Sequence, residues 1–560
     1  MTDLGTIASL EASGSPSSDA PRRSPRTRRG LRLGGRGWVV IWLVALVWST
    51  LAMLESDAGL VNNAGWLALG EFWVHALRPE LSPDFLRTTL DGAVTTLAFG
   101  VLGTLLSVVL GVLGAPLMSQ TWWAPASASG PSRALTSLAL LLTRVGAALP
   151  RGVHEAVWAL LLLSVLGRDP LVGVIAIAIP FGAITAKVYS EMLDEADHGP
   201  YELLRASGAG RLAAVGYGLL PGLVPSATSY AFYRFECSIR SAVILGMVGV
   251  GGLGLQLTLS FQGLQYGEMW TSLFALVLLA GLIDRWGAEL RRGASRRRWP
   301  LSAAAGGVLV VASVWHLAPD LSRWSSERTD RLLRGLVDDL VPPSLPDGGW
   351  SELVSRSVET VQMSVVAISL AALLGVVVCL VAARGATSRA GRLAGWASRQ
   401  LLLLTRAVPP PVWALLVLFV VFPGPLPGAL ALGIYTFGIL GRLFAEVVEE
   451  LDSAPRDALS GLGASAVSSF TYASMPAAAG QLISYSLYRW EVTARETVVV
   501  GIVGAGGLGS LMEQQRAAFD YPAMTSTVLA LVAACVLVDL VSMAARSSLR
   551  SAPPARGTAS

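Results

Sequence analysis

The sequence predicts an all-α polytopic membrane protein with two parallel halves of six helices each, about twelve transmembrane crossings around a pseudo-twofold axis. Three observations support this fold class. The chain has 560 residues, of which 53% are hydrophobic and 14% are charged, a composition typical of proteins that lie in a bilayer. Its second half repeats the first, and its arginines concentrate in three short regions.

The internal repeat holds one register without a gap from position 158 to position 254. Val-Trp-Ala-Leu at 157–160, Tyr-Arg-aromatic-Glu at 233–236 and a glycine-rich run at 246–254 each return 255 positions later. Self-similarity at one fixed offset indicates an internal duplication, and this period is far too long for a solenoid. We therefore expect two fused homologous halves.

Apolar segments long enough to cross a bilayer recur in both halves. A membrane-spanning helix needs roughly 20 apolar residues. In the first half we predict crossings near residues 38–54, 92–118, 145–167, 170–189, 222–245 and 269–286. In the second half we predict them near residues 302–318, 359–383, 401–422, 427–446, 477–500 and 523–544.

The arginine clusters predict the orientation. They precede the first crossing, join the halves and follow the last crossing. Positively charged flanks stay in the cytoplasm, so both termini are predicted to be cytoplasmic. The first crossing is predicted to be an uncleaved signal anchor, because no small-residue cleavage site follows it. The predicted regions are a disordered basic tail (1–37), a first half (38–295), a second half (296–550) and a C-terminal tail (551–560).

Composition also excludes several classes of protein. The net charge of +4 comes from arginines in short loops and a tail without aromatic interleaving, so no nucleic-acid partner is expected. Cys237, Cys379 and Cys535 lie in apolar segments without metal-ligand spacing, so no metal site is expected. The four histidines have no matched base and nucleophile. We therefore name no catalytic residue, and an intramembrane enzyme is a poor alternative.

The external segments at 55–87 and 319–357 are polar and contain proline and tryptophan. Such segments can lie on the membrane surface or contact an external partner, or they can pack as a cap over the pathway between the halves. The sequence leaves these alternatives open.

The cytoplasmic loops between the fourth and fifth crossings, at 191–221 and 446–476, share one spacing. In each loop a proline opens a short amphipathic segment, a glycine ends it, and a second proline precedes the next crossing. The positions are Glu202, Gly208 and Pro221 in the first loop and Asp457, Gly463 and Pro476 in the second. We expect a helix of about two turns across the cytoplasmic face of each half.

This spacing resembles the signature loop of binding-protein-dependent ABC importer permeases, in which Glu-Ala-Ala, three residues, Gly and nine residues precede hydrophobic-x-Leu-Pro. The chain departs from it at Leu203, Leu204 and Asp457. The Tyr-Arg-aromatic-Glu-x-x-x-Arg segment, the glycine-rich run and the Val-Trp-Ala-Leu element are similar to the permease subunit of phosphonate importers, the PhnE family. Members usually carry one such half and work as homodimers, so this chain resembles two fused copies.

The resemblance implies a type I importer permease fold in the plasma membrane and import of phosphonate, phosphate or phosphite by alternating access. Its two coupling helices would dock two separate ABC ATPase subunits, which bind ATP and magnesium. An extracytoplasmic substrate-binding protein would deliver the solute, and lipid would surround the rest. We expect no ATPase site in the chain itself, because its only lysine, Lys187, is not in a phosphate-binding loop, and the resemblance implies no cofactor bound to this chain.

Charged residues inside the fifth crossing of each half are the candidate pathway. They are Arg234, Glu236 and Arg240 and their counterparts Arg489, Glu491 and Arg495. An arginine deep in a bilayer costs roughly 2.5–3.5 kcal/mol on insertion scales, so it must face a partner or a water-filled cavity. Glu236 and Arg240 share one helical face. They either form an ion pair that fixes helix packing or help to line a pathway for an anion, which a guanidinium can bind through two parallel hydrogen bonds.

Arg151 and Arg406 form a further repeated pair near the predicted inner mouth. They could meet an anion as it leaves, or they could simply extend to the membrane edge. His154 stands where the second half has Pro409, and a membrane-edge histidine with satisfied hydrogen bonds is its default interpretation.

The glycine-rich run is not expected to bind a dinucleotide, because that site needs a soluble βαβ unit. The resemblance instead implies a tight turn or gate loop near the binding-protein face. The candidate gate glycines are Gly249, Gly251, Gly252, Gly504, Gly506 and Gly507.

Two other transport functions stay open. An ABC importer permease for another small solute, such as methionine, would share the coupling loops. An ion-driven secondary transporter built of parallel repeats would not need such loops.

Overall fold

The computed structural model describes residues 35–55, 60–123, 130–291, 298–324, 326–382 and 389–550. The predicted tails, up to residue 34 and from 551 to 560, and the junction arginines at 292–297 lie outside the described residues. The regular secondary structure of the described part is helical.

Each half consists of long helices joined by short helical connections. The helices of eight or more residues in the first half are α1 (Gly35–Leu54), α2 (Gly65–His75), α3 (Pro83–Met118), α4 (Gly130–Gly152), α5 (Glu155–Leu166), α6 (Pro170–Glu195), α7 (Gly199–Ala206), α8 (Leu220–Met247), α9 (Leu253–Gln262) and α10 (Tyr266–Arg291). Those of the second half are α11 (Arg298–Leu317), α12 (Glu327–Leu340), α13 (Gly349–Ala382), α14 (Arg389–Ala407), α15 (Pro410–Val420), α16 (Pro425–Glu450), α17 (Ala454–Gly461), α18 (Met475–Ile502), α19 (Gly507–Ala517) and α20 (Tyr521–Arg550).

Among the described residues, eight helices are long and apolar enough to cross a membrane alone, and up to eleven spans are present if each of three bent pairs counts as one. The eight are α1, α3, α6, α10, α11, α13, α16 and α20. The predicted all-α fold of two halves is confirmed, with eight to eleven apolar spans. α8 occupies the predicted fifth crossing of the first half but carries Arg234, Glu236 and Arg240, and it does not pass the same test of apolarity.

The predicted third crossing of each half is not a single straight helix. α4 and α5 meet at 80°, and α14 and α15 meet at 96°. In the first half His154 caps α5, its Nδ1 accepting a hydrogen bond from the backbone N–H of Ala156 at 3.2 Å. In the second half Pro409 and Pro410 follow α14. Proline lacks the N–H that a continuous helix needs and restricts the residue before it. The length of an apolar stretch therefore predicts a membrane segment correctly, but it does not predict whether that segment is straight or bent.

The first long helix of each half packs on the other half. α1 lies against α13, α16 and α20, where Trp42 Nε1 donates to Ser369 Oγ at 3.0 Å and its ring meets Trp490 edge-on. α11 lies along α3, where His316 Nε2 is 2.9 Å from Thr95 Oγ1. The two predicted halves are thus repeats in the sequence, but they do not pack as separate bodies. The first long helix of each half packs against the other half.

The hydrophobic core also crosses from one half to the other. On α5, Val157 and Leu160 belong to the same buried cluster as Leu508 and Met512 of α19. On α15, Val412 shares a cluster with Leu253 and Leu257 of α9 and Met269 of α10. Burial of apolar area is the main force that holds protein segments together outside lipid, and tight packing serves the same end within it. The short helices α5 and α15 therefore join the halves at the centre of the molecule.

Candidate functional site

α8 and α18, which carry the candidate arginines, begin in the same way. A π-helical turn precedes each, at Val215–Leu219 and Phe470–Ser474. Pro221 and Pro476 lie in the first turn that follows. A proline ring crowds the carbonyl four residues before it, and the wider π turn relieves that crowding. The two predicted prolines therefore start the two helices in equivalent positions.

Arg240 and Arg489 come from opposite halves and meet at Tyr435 of α16. Arg240 Nη1 donates a hydrogen bond to Tyr435 Oη at 3.3 Å. The guanidinium carbon of Arg489 lies 5.6 Å from the centre of the Tyr435 ring, within the range of cation–π attraction. Tyr435 is only 5% exposed. Two positive charges therefore converge on one buried phenol between the halves.

Glu496 is the acidic partner of Arg489. Arg489 Nη2 donates to its two carboxylate oxygens at 2.9 and 3.1 Å, and the two side chains are 12% and 14% exposed. Arg489 Nε is buried and has no acceptor among the described residues. A buried donor without an acceptor is costly, and an oxygen of an anionic ligand would satisfy it.

Arg234, the counterpart of Arg489, is enclosed by aromatic rings. Its Nε and Nη2 both donate to Tyr230 Oη, at 2.7 and 2.5 Å. Its guanidinium carbon is 5.1 Å from the ring centres of Phe181 and Tyr230. Because neutral groups hold most of this guanidinium, the arrangement favours a packing role for Arg234.

Tyr233 and Tyr488, which are equivalent residues of the two halves, mark the place where α8 and α18 approach each other. Tyr233 interacts electrostatically with Tyr488 and with the guanidinium groups of Arg234 and Arg240. α8 and α18 also share a buried cluster through Ile244 and Val499, so the two helices approach each other near the candidate arginines.

Each predicted inner-mouth arginine lies near an aspartate of the opposite half, and for Arg406 this is a direct contact. Arg406 Nη2 of α14 donates to Asp284 Oδ2 of α10 at 3.2 Å. On the other side, Arg151 of α4 interacts electrostatically with Arg495 and Asp539, and the last two lie 3.8 Å apart. Because Asp284 and Asp539 are 255 positions apart, these are equivalent clusters. We call them the cross-half clusters.

The acids and bases of the candidate helices pair with neighbouring helices. Glu491 accepts a hydrogen bond from Arg546 of α20, and Arg495 pairs with Asp539 of α20. In the first half Arg240 is directed at Tyr435. The sequence suggested an ion pair along one helix between Glu236 and Arg240. In the second half the equivalent residues, Glu491 and Arg495, pair instead with residues of another helix.

Sequence analysis missed Asp284, Asp539 and Tyr435. The two aspartates occupy equivalent positions in the sixth crossings, and an acid inside a crossing needs a partner, so the repeat offset could have identified them. The residue of the first half that is equivalent to Tyr435 in the repeat is Pro180. The repeat therefore carries no signal for it.

The halves also differ where α5 and α8 meet. Glu155 accepts a hydrogen bond from the Ser241 hydroxyl of α8, and His154 Nδ1 is 3.5 Å from Glu155. In the second half the position of Glu155 is Pro410, and the position of Ser241 is Glu496. Each half thus has one carboxylate at this place, but the two carboxylates come from different helices.

A cavity of about 340 Å³ lies beside Arg151. Its charged lining residues are Arg144, Arg151, Lys187, Glu191, Asp194 and Glu195. Asp194 is held by Ser119 and Thr121 at 2.6 and 3.0 Å. Since three acids balance three bases, this space suits water and ions of either sign rather than one selected anion.

The short helices predicted for the loops at 191–221 and 446–476 are present as α7 and α17. Pro200 and Pro455 lie in their first turns. Gly208 and Gly463 follow their ends with φ of +90° and +87°, the left-handed conformation that glycine supplies at a helix end. Glu202 and Asp457 are in the first turns, where an acid is favoured by the helix dipole.

The glycine-rich runs form tight chain reversals, after which α9 passes close to α8 and α19 passes close to α18. The axes of α18 and α19 differ in direction by 42°. A Cβ at Gly254 would lie 1.9 Å from the carbonyl oxygen of Val243, and one at Gly509 would lie 2.3 Å from that of Val498. The predicted gate glycines all have positive φ: Gly249, Gly251, Gly252, Gly504, Gly506 and Gly507. The expected tight turn is therefore present, and a role of these glycines as a gate stays a prediction.

Threonines of the neighbouring long helices hold these reversals. Leu253 N donates to Thr96 Oγ1 at 3.0 Å, and Leu508 N donates to Thr360 Oγ1 at 2.9 Å. In the second half Gly507 N also donates to Glu359 Oε2 at 3.1 Å. The reversals are therefore anchored to α3 and α13.

Comparison with protein families gives a match to the binding-protein-dependent transport system inner membrane component, at residues 122–284 and again at residues 362–550. The two matches cover both halves of the repeat. They include the coupling loops and every candidate arginine.

Curated relatives carry the same kind of description. The chain is 28% identical to the phosphate-import permease protein PhnE of Mycolicibacterium smegmatis over 470 residues. The aligned region covers 82% of this chain and 85% of the relative. It is 31% identical over 207 residues to the phosphite transport system permease protein PtxC of Stutzerimonas stutzeri, which covers 37% of this chain and 74% of the relative. No solved structure matches the chain.

Proposed function

This chain belongs to the binding-protein-dependent transport system inner membrane components, and on that premise we propose that it carries phosphonate or a related phosphorus oxyanion, phosphate or phosphite, across the membrane. The relatives are described as permeases for phosphate and phosphite. Two family matches in one chain support the proposal that it supplies both halves of the translocation pathway.

The observation that carries the proposal is the meeting of Arg240 and Arg489 from opposite halves at Tyr435. A pathway between two halves needs groups from both of them, and a guanidinium suits the geometry of phosphorus oxyanions. The proposed pathway residues are Arg240, Arg495, Glu236, Glu491, Arg489, Arg151 and Arg406, whereas the aromatic surroundings of Arg234 assign it to helix packing.

We further propose that two ABC ATPase subunits dock on α7 and α17 and that ATP and magnesium bind on those subunits. Leu203 of α7 and Leu462 after α17 are 74% and 85% exposed. Both helices are predicted to lie on the cytoplasmic side, where lipid would not cover these leucines. An exposed apolar side chain of this kind can insert into a groove of a partner protein. Both chain termini would then be cytoplasmic, and a substrate-binding protein would dock on the opposite face.

Transport would proceed by alternating access. Closure of the ATPase subunits would move α7 and α17, and with them the helices α8 and α18 that follow. The cross-half clusters link α14 to α10 and α4 to α20, so a relative movement of the halves must rearrange them. An importer must also release its solute. Arginines that already have acidic or phenolic partners would bind an anion weakly, which allows release.

The test is ATP hydrolysis and uptake by the complex reconstituted in vesicles with its binding protein. Aminoethylphosphonate, methylphosphonate, phosphate, phosphite and methionine are titrated with the wild type and with the double variant Arg240→Ala/Arg495→Ala. We expect a phosphorus oxyanion to stimulate hydrolysis and uptake, and the double variant to lose both.

The competing functions give different results in the same assay. Stimulation by methionine alone would mean a permease for another small solute. Uptake driven by a proton gradient without ATP would mean an ion-driven secondary transporter. Uptake of a phosphorus oxyanion that the double variant retains would assign its two arginines to helix packing.

A further inference from the structure

We propose that the permease holds a single oxyanion in one asymmetric site, built on Tyr435, Arg240 and Arg489, and that Glu496 is the competing acid that weakens it. This inference rests on the proposed function, because it places a phosphorus oxyanion between the halves. It adds that equivalent arginines of the two halves have different tasks. We call the three donors with Glu496 the Tyr435 site.

The Tyr435 site has hydrogen-bond donors without acceptors. Arg489 Nε is buried and has no acceptor in the described part of the chain. Tyr435 Oη already accepts from Arg240 Nη1 at 3.3 Å, so its own proton is available to donate. An anion between these groups would receive donors from both halves. Hydrogen bonds from cationic donors to an anion are the strong ones.

The charge of the site favours an anion. Arg240 and Arg489 both approach Tyr435, and Glu496 is the carboxylate that contacts Arg489. The nearby Asp284 pairs with Arg406 at 3.2 Å and interacts with Arg240 only at longer range. A partly buried surplus of positive charge is stabilised by an anionic ligand.

The equivalent place in the first half cannot form the same site. Pro180 replaces Tyr435, so the hydroxyl is missing. Arg234 replaces Arg489, and Tyr230 occupies its Nε and Nη2. Arg495 replaces Arg240 and lies 3.8 Å from Asp539. The twofold pattern of the sequence would suggest two sites, whereas these contacts leave one.

Glu496 explains how such a site could also release its ligand. Its carboxylate accepts from Arg489 Nη2 and would repel an anion bound at Arg489 Nε. The repeat places Ser241 at this position in the first half, so the acid is particular to the side that has the site. Removing the charge at Glu496 should therefore tighten anion binding, whereas loss of a purely structural acid would not.

The experiment is equilibrium binding of radiolabelled inorganic phosphate, and of methylphosphonate as competitor, to the full permease–ATPase complex in nanodiscs without its binding protein. The wild type is expected to bind one anion per complex. Arg489→Gln and Tyr435→Phe should weaken binding at least tenfold and threefold, and Glu496→Gln should strengthen it several-fold. Arg87→Gln, at an ion pair whose side chains are 83% and 97% exposed, is the control for loss of one arginine.

Thermal unfolding of each variant separates loss of the site from loss of the fold. Arg495→Gln is expected to lower the melting temperature, because it breaks a contact between helices, and to alter phosphate affinity less than Arg489→Gln does. Two equivalent sites per complex, no saturable binding by the wild type, or weaker binding in Glu496→Gln would each overturn the inference.

The same preparation distinguishes this inference from the proposed function. If the binding protein loaded with a phosphorus oxyanion stimulates ATP hydrolysis while Arg489→Gln and Tyr435→Phe bind phosphate as the wild type does, only the asymmetric site is wrong. If no phosphorus oxyanion stimulates hydrolysis, the proposed function fails and the site fails with it.

Discussion

At the scale of single residues, the cross-half clusters show that the charged side chains inside the bilayer connect the halves. Arg406 and Asp284 lie on helices from different halves and are 17% and 31% exposed. A charge that loses its partner in such a place keeps the cost of leaving water without the compensating attraction. These pairs therefore contribute to the association of the halves, whatever they do for a transported anion.

We predict that Asp284→Asn and Arg406→Gln each lower the free energy of unfolding by about 1–3 kcal/mol. The double variant should lose less than the sum of the two, because neither charge is then left alone. Unfolding is measured in nanodiscs as a double-mutant cycle. The exposed pair Arg87 and Asp84 provides the control cycle, with a coupling energy near zero. Additive losses at Asp284 and Arg406 would contradict the prediction.

Single residues also show where sequence reasoning ended. The arginines could be predicted, because a charge in an apolar segment is conspicuous and because it occurs twice. Their partners could not be predicted, because a hydrogen bond such as that from Arg240 to Tyr435 depends on which helices of the two halves adjoin. Tyr435 is an ordinary aromatic residue in an apolar segment until the fold brings two guanidinium groups to it.

At the scale of elements, the glycine reversals show how a spacing in the sequence dictates a contact between backbones. α9 and α19 pass so close to α8 and α18 that even a methyl group would collide with a carbonyl. Thr96 and Thr360 then anchor the two reversals to α3 and α13. Because each turn is held from two sides in this way, the C-terminal end of the arginine-bearing helix is fixed in its position.

We predict that Gly254→Ala or Gly509→Ala costs about 3 kcal/mol or more and greatly reduces the yield of folded protein, because the neighbouring atoms are backbone and cannot move aside. Yield is measured by size-exclusion chromatography of a fluorescent fusion. Gly281→Ala in α10 is the matched control. A Cβ there meets nothing within 4 Å, and alanine favours helix by about 0.5–1 kcal/mol. Equal yields from all three variants would contradict this account.

The elements were predictable in different degrees. The short helices α7 and α17 followed from proline and glycine, which act locally through the backbone. The bends between α4 and α5 and between α14 and α15 did not follow from the length of an apolar stretch, because length alone does not report a change of direction. His154 and Pro409 occupy equivalent positions, and the helix bends at both. His154 ends the helix by capping the next one, whereas Pro409 lacks the N–H that a continuous helix needs. Because the two residues act differently, the sequence did not show that both halves bend at the same place.

At the scale of the whole molecule, the exchange of α1 and α11 makes the two halves interdependent. α1 packs on α13, α16 and α20, and α11 packs on α3. The hydropathy of a segment does not indicate which neighbour covers it, so the exchange was not predictable from the repeat.

We predict that a chain divided between residues 291 and 298 assembles only when both pieces are made together. Each piece alone lacks the helix that covers part of its core and should aggregate or be degraded. Co-expression with a tag on one piece and recovery of the other measures the assembly. Two pieces that are each stable and monodisperse when expressed separately would contradict this expectation.

The exchanged first helix has a further consequence for synthesis of the protein. Trp42 of α1 must reach Ser369 of α13, which is 327 positions further along the chain. At a synthesis rate of about 5–20 residues per second, α1 waits in the bilayer for roughly 15–65 seconds before its neighbours leave the ribosome. During that interval the insertion machinery, lipid or a chaperone must cover the surface that later contacts α13, and fusion of the halves ensures that the awaited partner arrives on the same chain.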